Sequence, residues 1–455
     1  MSLRSLVLGL AVVALASCTE PSTRPLGNEP SRPNVLIVMT DDQRLDSMEA
    51  MPAVLRWFGE GGRTYPNAFA TTPLCCPARA SIMTGRYAHN HGVLTNHHTD
   101  QLDHGTTLQR ELRAAGYITA IAGKFLNEWH IRRPPPHFDR YAIDSPFVTG
   151  NGFVGERFNI DGDIREVGYA TRFIERTALR YVRSFERQDR RPWLLYVTPF
   201  APHEPAIPEA GYRTAPVSPW RPGPAVLEQD LADKPRFLAE VESLPLGALE
   251  RFRDRQLRTL RSVDDLVDAV MTELDQLGER NTLAVFTSDN GLLYGEHGPF
   301  SKRLPYDASI RVPLMSRWPG RVAAGTTDPR LAANVDVFPT VMEAAGVPVR
   351  GPIEGRPLWD ERARKMIFLE HFYGGEPVGI PSWASVRTRT TQYIEWSRGG
   401  RRIFSEYYDL RADPLQLRNL LVEGEPVDLA EAQAMRRSLA KLRSCVGTTG
   451  PNACP

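Results

Sequence analysis

The run Val35-Leu36-Ile37-Val38-Met39, followed at once by Thr40-Asp41-Asp42, decides the fold. An apolar stretch of this length, with no polar alternation, is the pattern of a strand covered on both faces in a parallel sheet. Three further stretches repeat it. Ile118 to Ala122 ends at Gly123-Lys124, Leu194 to Val197 leads into Ala201-Pro202-His203, and Leu283 to Phe286 ends at Ser288-Asp289-Asn290. Between the last two, apolar residues at Leu257, Leu260, Val263, Val267, Val270, Leu274 and Leu277 recur at spacings of three and four. This predicts an amphipathic helix closed by Gly278. Strand and helix in alternation imply an α/β fold, a large and mostly parallel sheet flanked by helices, whose ligands gather beyond the carboxyl ends of the strands. All four polar groups fall at that edge.

Outward from these strands the pattern changes. Residues 205 to 249, rich in Pro and Ala, read as a surface excursion, and 130 to 170 read as another long loop region. Beyond about Gly351 come short strand-like pieces, Ile367 to Leu369 and Tyr393 to Trp396, and a helix near Ala430 to Leu442, which together predict a smaller α+β domain over 351–455. The chain has 455 residues, 42% of them apolar, enough to fill a sizeable core. Its 55 Lys and Arg against 54 Asp and Glu leave a net charge of +1, which supplies no broad positive field and argues against a nucleic-acid partner.

At the N-terminus, Arg4 precedes an apolar run from Leu6 to Ala16, too short to span a bilayer and placed where a signal peptide belongs. Leu15-Ala16-Ser17-Cys18 resembles a bacterial lipobox. The expectation is that 1–17 are removed, that Cys18 carries acyl chains, and that 18–32 form a flexible tether on an exported, membrane-anchored lipoprotein; an ordinary secretory signal is the alternative. Export places the remaining cysteines in an oxidising compartment. Cys445 and Cys454 enclose a short Gly/Pro/Asn segment and read as a local disulfide, whereas Cys75 and Cys76 are adjacent and poorly placed to pair with each other.

Asp41 and Asp42 stand together at a strand end, and two carboxylates about 4 Å apart repel by roughly 4 kcal/mol at an effective dielectric near 20. Something positive is needed. If Asp289 and Asn290 arrive from another strand end, the oxygen donors converge on a site suited to a hard cation such as calcium. A second group lies in Thr72-Pro73-Leu74-Cys75-Cys76-Pro77-Ala78-Arg79-Ala80-Ser81-Ile82-Met83-Thr84-Gly85-Arg86, which reads as a helix entered at Cys75 or Cys76, with Pro77 in its first turn and Gly85 at its end. Cys75 and Arg79 share a face near the positive end of the helix dipole, where an anion is favoured.

These residues resemble a known family. Cys75-Cys76-Pro77-Ala78-Arg79 contains the CxPxR signature of the formylglycine-dependent sulfatases. It is followed by Thr84-Gly85-Arg86, preceded by the strand with Asp41-Asp42, and joined by Ser288-Asp289-Asn290-Gly291 and by the run Tyr407 to Leu420. The resemblance extends from about Pro33 to Leu420. It implies an alkaline-phosphatase-like fold, a catalytic domain over 33–350, and hydrolysis of sulfate esters. Cys75 would be oxidised to formylglycine by a dedicated enzyme acting on the unfolded chain. Asp41, Asp42, Asp289 and Asn290 would hold Ca2+ together with the modified Cys75, Arg79 would hold the aldehyde hydrate, and Lys124, His203 and Lys302 would bind sulfate oxygens or serve the leaving group.

One departure stands out. Many sulfatases carry a histidine two residues beyond the lysine of the second strand, whereas this chain reads Gly123-Lys124-Phe125-Leu126-Asn127-Glu128. That sequence is similar to the branch containing the glucosamine-6-sulfatases and heparan endosulfatases, as is Tyr87-Ala88-His89-Asn90-His91 after the doubled cysteine. A sulfated sugar is therefore the expected substrate. An aryl sulfatase, a phosphatase or phosphodiesterase of the same fold, and an inactive glycan-binding surface protein are the competing readings.

Overall fold

Strand β1 (Asn34–Thr40) is buried along its whole length because it lies at the centre of a ten-stranded sheet. The structure, a computed structural model, describes residues 32–146, 150–187, 190–362, 364–374, 379–422, 429–449 and 453–454. The expected leader, Cys18 and the tether up to residue 31 lie outside the described residues. In chain order the other strands of this sheet are β2 (Arg63–Thr64), β3 (Ile118–Lys124), β4 (Arg140–Asp144), β5 (Val154–Ile160), β6 (Asp163–Tyr169), β7 (Trp193–Thr198), β8 (Thr282–Ser288), β9 (Leu314–Arg317) and β10 (Thr326–Thr327). Their order across the sheet is β10-β2-β9-β8-β1-β7-β3-β4-β5-β6.

The four strands expected from sequence are consecutive neighbours, β8-β1-β7-β3, all parallel, so their carboxyl ends share one edge. The register pairs Thr40 with Ser288 and Gly123 with Thr198. Gly123 has φ +117°, and a Cβ there would stand 2.1 Å from the Thr198 carbonyl oxygen, so the close approach that delivers Lys124 requires glycine. Both sheet faces are apolar and each has its own core. Leu36, Val38, Leu195, Val197 and Phe286 pack on one side, against α2 (Ala170–Glu186) and α3 (Leu246–Gln276). Val35, Ile37, Met39, Tyr196 and Val285 pack on the other, with α1 (Cys75–Thr84) and α4 (Val337–Ala344).

Helix α3 begins well before the periodicity that announced it, because Leu249, Phe252 and Gln256 are buried on its earlier turns. The region 130 to 170, read as loop, supplies instead β4, β5 and β6, with β5 and β6 joined antiparallel at the sheet margin. β6 escapes a hydrophobic pattern because it buries neither face, and β5 is buried only in part. Residues 205 to 245 are largely irregular, as expected. A separate antiparallel sheet contains β11 (Ile367–His371), β12 (Ser382–Arg387), β13 (Thr391–Arg398) and β14 (Arg401–Asp409), and α5 (Leu429–Leu442) packs against β12 and β13. Its core is shared with Phe69, Tyr87, Leu304 and Tyr306 of the larger part. The disulfide Cys445–Cys454 is present, and Cys75 and Cys76 are free and buried. Among the described residues no helix is long and apolar enough to cross a membrane.

Candidate active site

The carboxyl edge of the central strands gathers every expected site residue into one buried cluster. After β1 the chain turns at Asp42, which adopts φ +60°, an uncommon conformation for a residue other than glycine. The turn is held from the adjoining strand end. Asp289 Oδ1 accepts the backbone N–H groups of Asp42 at 3.1 Å and Asn290 at 2.8 Å, and Asn290 Nδ2 donates to Asp42 Oδ1 at 2.6 Å. The Asn290 Oδ1 atom is buried and has no hydrogen-bond partner.

Helix α1 brings the second group. Leu74 enters it in an extended conformation and Gly85, with φ +70°, ends it, while every residue between is buried. Arg79 therefore spends its guanidinium inside the protein, donating from Nε to Asp289 at 2.9 Å, from Nη2 to Asp41 at 3.0 Å and from Nη1 to the Lys124 carbonyl at 2.8 Å. Lys124 in turn pairs with Asp41 and lies 5.2 Å from the centre of the Phe200 ring. From the opposite side Lys302 reaches Asp42 Oδ1 at 2.6 Å, Cys75 Sγ at 2.9 Å and His203 Nε2 at 3.3 Å. His203 stacks on Phe200 and directs Nδ1 at the Glu204 carbonyl, 2.8 Å away. Because a carbonyl only accepts, this contact places the proton on Nδ1 and leaves Nε2 as an acceptor in the neutral ring.

Three cations thus face three carboxylates, all of them buried except for a partly exposed Lys302. Burial works against the charge on Asp41, but Lys124 and Arg79 outweigh it and hold that carboxyl well below its ordinary value. Burial likewise opposes Lys302, and Asp42 more than restores its charge. Burial lowers His203 despite Asp42 nearby, which favours the neutral ring. Cys75 is pushed up to about 12 by burial and by Asp41, so the thiol is protonated at neutral pH and is a poor nucleophile as it stands.

The arrangement fits a hard divalent cation. Asp41, Asp42, Cys75 and His203 bring potential ligand atoms within 4.8 Å of one another, and Asp289 with the unpartnered Asn290 Oδ1 adds further oxygen donors to the same edge. Sequence reasoning did not single out Phe200, which shapes the wall behind His203 and Lys124; its place just after a buried strand was the available signal. Leu126 is wholly buried in the core and offers no polar atom. Asn127 lies close by, its N–H donating to Cys76 Sγ at 3.1 Å.

Known proteins share this chain's sequence and architecture. The profile of the Sulfatase family matches residues 33–347, and that of the N-sulphoglucosamine sulphohydrolase C-terminal region matches 295–444. The extracellular sulfatase SULF-1 homolog of Drosophila melanogaster is 33% identical over 350 residues, covering 72% of this chain and 31% of the relative. The chain spans about a third to a half of the length of such extracellular relatives. N-acetylglucosamine-6-O-sulfatase of Bacteroides thetaiotaomicron is 28% identical, covering 92% of this chain and 88% of the relative. Among solved structures, one in complex with its substrate D-glucosamine-2-N,6-O-disulfate superposes with a TM-score of 0.74 at 25% identity, over 90% of this chain and 96% of the other.

Proposed function

The chain belongs to the sulfatase family, and from that premise we propose that it hydrolyses a sulfate ester of a glucosamine-type sugar, using residue 75 in an oxidised, formylglycine form. Sulfate-ester hydrolysis, the sugar and the modified nucleophile together make up the proposal. The observation that carries it is Lys302 Nζ at 2.9 Å from the side-chain atom of residue 75, inside a cluster that leaves the unmodified thiol protonated. That sulfur stands where a hydroxyl oxygen of the aldehyde hydrate would lie. The glucosamine sulfatases among its relatives support the sugar.

The chain's own residues then divide the work. Arg79, held by Asp41 and Asp289, fixes residue 75, and Lys124 and Lys302 offset the negative charge of sulfate oxygens that would repel an attacking oxyanion. Asp41, Asp42, Asp289 and Asn290, with residue 75, would hold a calcium ion, which supplies positive charge that stabilises oxyanions. One hydroxyl of the hydrate attacks sulfur, its proton passing to the neutral His203 Nε2 and from there to solvent, and the S–O bond to the sugar breaks. Lys302, which is charged, gives its proton to the departing sugar oxygen. Residue 75 now carries the sulfate. The neutral Lys302 amine takes the proton of the second hydroxyl, the C–O bond to sulfate breaks, and the aldehyde returns; addition of water restores the hydrate. This cycle needs no histidine at position 126.

The experiment is to produce the protein beside a formylglycine-generating enzyme, weigh the tryptic peptide containing residue 75, and assay glucosamine 6-sulfate with and without chelator. An aldehyde mass together with calcium-restored sulfate release is expected. A correctly folded, active enzyme that keeps its thiol would sink the mechanism. We also propose export and anchoring through Cys18, on the strength of Leu15-Ala16-Ser17-Cys18; Cys18→Ala should move the protein from the membrane to the soluble fraction, and an unchanged distribution would refute it.

A further inference from the structure

Helix α1 carries Cys75 at one end, and its other end meets a second store of charge. Ten residues at 1.5 Å each set the two ends about 15 Å apart. Glu354 and Gly355 donate their N–H groups to the Gly85 carbonyl at 2.9 and 3.0 Å, and the residue that follows them is Arg356. It lines a cavity of about 30 Å³ together with Arg330, Arg362 and Arg364 and with Asp328, Asp336 and Asp360. Each aspartate already has an arginine. Arg330 Nε donates to Asp328 at 2.9 Å, Arg362 Nη2 to Asp360 at 2.7 Å, and Arg364 to the two oxygens of Asp336 at 2.6 and 2.7 Å. Arg356 gives Asp336 only its backbone N–H, at 2.9 Å. Among the described residues its guanidinium forms no ion pair, and its Nε is buried with no hydrogen-bond partner. Four guanidinium groups thus share three carboxylates. Burial, and then Arg364 and Arg362, hold the pKa of Arg356 below its ordinary value, yet an arginine stays charged. Its charge is the one in the cavity left without compensation.

We propose that this cavity is an anion site separate from the catalytic edge, in which Arg356 receives a tetrahedral oxyanion, sulfate or phosphate. A guanidinium presents its N–H donors as a planar fork that matches two oxygens of such an anion, and a buried Nε without an acceptor is one tine of that fork. An anion in the cavity also relieves the repulsion among Arg356, Arg362 and Arg364. Space sets the size of the occupant. The cavity holds roughly two waters, enough for one oxyanion and too little for a sugar ring. The occupant is therefore a free ion, or a single ester group whose parent molecule stays outside. The site stands apart from the sulfatase reading, because no residue of the catalytic cluster lines the cavity.

The test soaks crystals of the full-length protein in selenate, a sulfate analogue whose selenium scatters anomalously. A peak within hydrogen-bond reach of Arg356 Nε is expected, and it should persist against sodium chloride at equal ionic strength. In solution, calorimetric titration with inorganic sulfate should find one site more in the parent than in Arg356→Gln, the affinity there falling by about tenfold or more, as loss of a charge-assisted contact predicts. Arg356→Lys keeps the charge without the fork and should recover part of the binding. A sulfated disaccharide separates the two sources: its displacing selenate from the cavity identifies an ester group, and displacement by inorganic sulfate or phosphate alone identifies the free ion. No peak beside Arg356, a peak that chloride removes and that marks an adventitious ion only, or equal titrations of parent and Arg356→Gln would overturn the site. The soak needs no variant, so it decides even where Arg356→Gln fails to fold. Hydrolysis of glucosamine 6-sulfate without added oxyanion should be the same in parent and Arg356→Gln, so this proposal and the sulfatase reading fail on separate measurements.

Discussion

The edge of the large sheet and the four-stranded C-terminal sheet both bury charge, and they do so in opposite ways. In the C-terminal part Glu406 is wholly buried, yet Trp396 and Tyr408 donate to it, and the Tyr306 hydroxyl donates at 3.1 Å. Neutral groups satisfy it and no cation is needed. Just before α4, outside that sheet, Asp336 is likewise complete, gripped by Arg364 at 2.6 and 2.7 Å and by two backbone N–H groups. At the sheet edge, by contrast, three cations crowd three carboxylates while Asn290 Oδ1 goes unanswered. Polar groups that are buried and saturated hold a fold together; a buried set with charges in tension and an acceptor to spare is shaped for something that comes and goes.

That contrast breaks first at residue 75. Cys75→Ala should reduce turnover of glucosamine 6-sulfate by at least about 10⁴-fold, as expected for loss of a nucleophile. Its melting temperature should stay near that of the parent, and substantial activity would mean the sheet edge is no active site. Next, Lys302→Ala should lower kcat by roughly 10²–10⁴-fold, the range for a lost general acid. The loss should be smaller for 4-nitrophenyl sulfate, whose leaving group needs no proton. An equal loss on both esters would reassign Lys302 to charge compensation alone.

In the saturated region the effect should appear in stability and not in rate. Glu406→Ala strands three donors and should cost about 3 kcal/mol or more of unfolding free energy, read by urea denaturation, with kcat per folded molecule unchanged. If kcat falls instead, the two regions are coupled more tightly than their hydrogen bonds show. The smallest effect belongs to the tail: Cys445→Ser opens a short loop and should cost roughly 2 kcal/mol. Cys445 also presents its carbonyl to His89 Nε2 at 3.0 Å and Asn90 Nδ2 at 2.9 Å, so the same variant reports how firmly the tail is fastened to the segment after α1.

Much of this was legible before any coordinates. The strands β1, β3, β7 and β8 announced themselves because a parallel strand covered on both faces must be apolar throughout, and their ends carried Asp41, Asp42, Lys124, His203, Asp289 and Asn290 to one edge. What the residue pattern hid was less regular. β5 and β6 combine a partly exposed margin with charged residues such as Arg157, Arg165 and Glu166, so they mimic a loop. Phe200 is an ordinary aromatic until folding sets it beneath His203. The bond from Arg79 to the Lys124 carbonyl joins positions 45 residues apart, a meeting that local propensity does not encode. Beyond residue 351 the strand-like pieces were readable, but not that Phe69 and Tyr87 would complete their core.

Cys75, the first residue of α1, has no surface exposed to solvent and is closed in beside the ion pairs of Arg79 and Lys124 with Asp41. A protein catalyst cannot work on an atom it cannot touch, so on the proposed mechanism the choice between thiol and aldehyde would fall in the interval before the chain closes. A molecule that folded early would then keep its sulfur for life, and the active fraction of a preparation would record a race between two rates, one of chemistry and one of collapse.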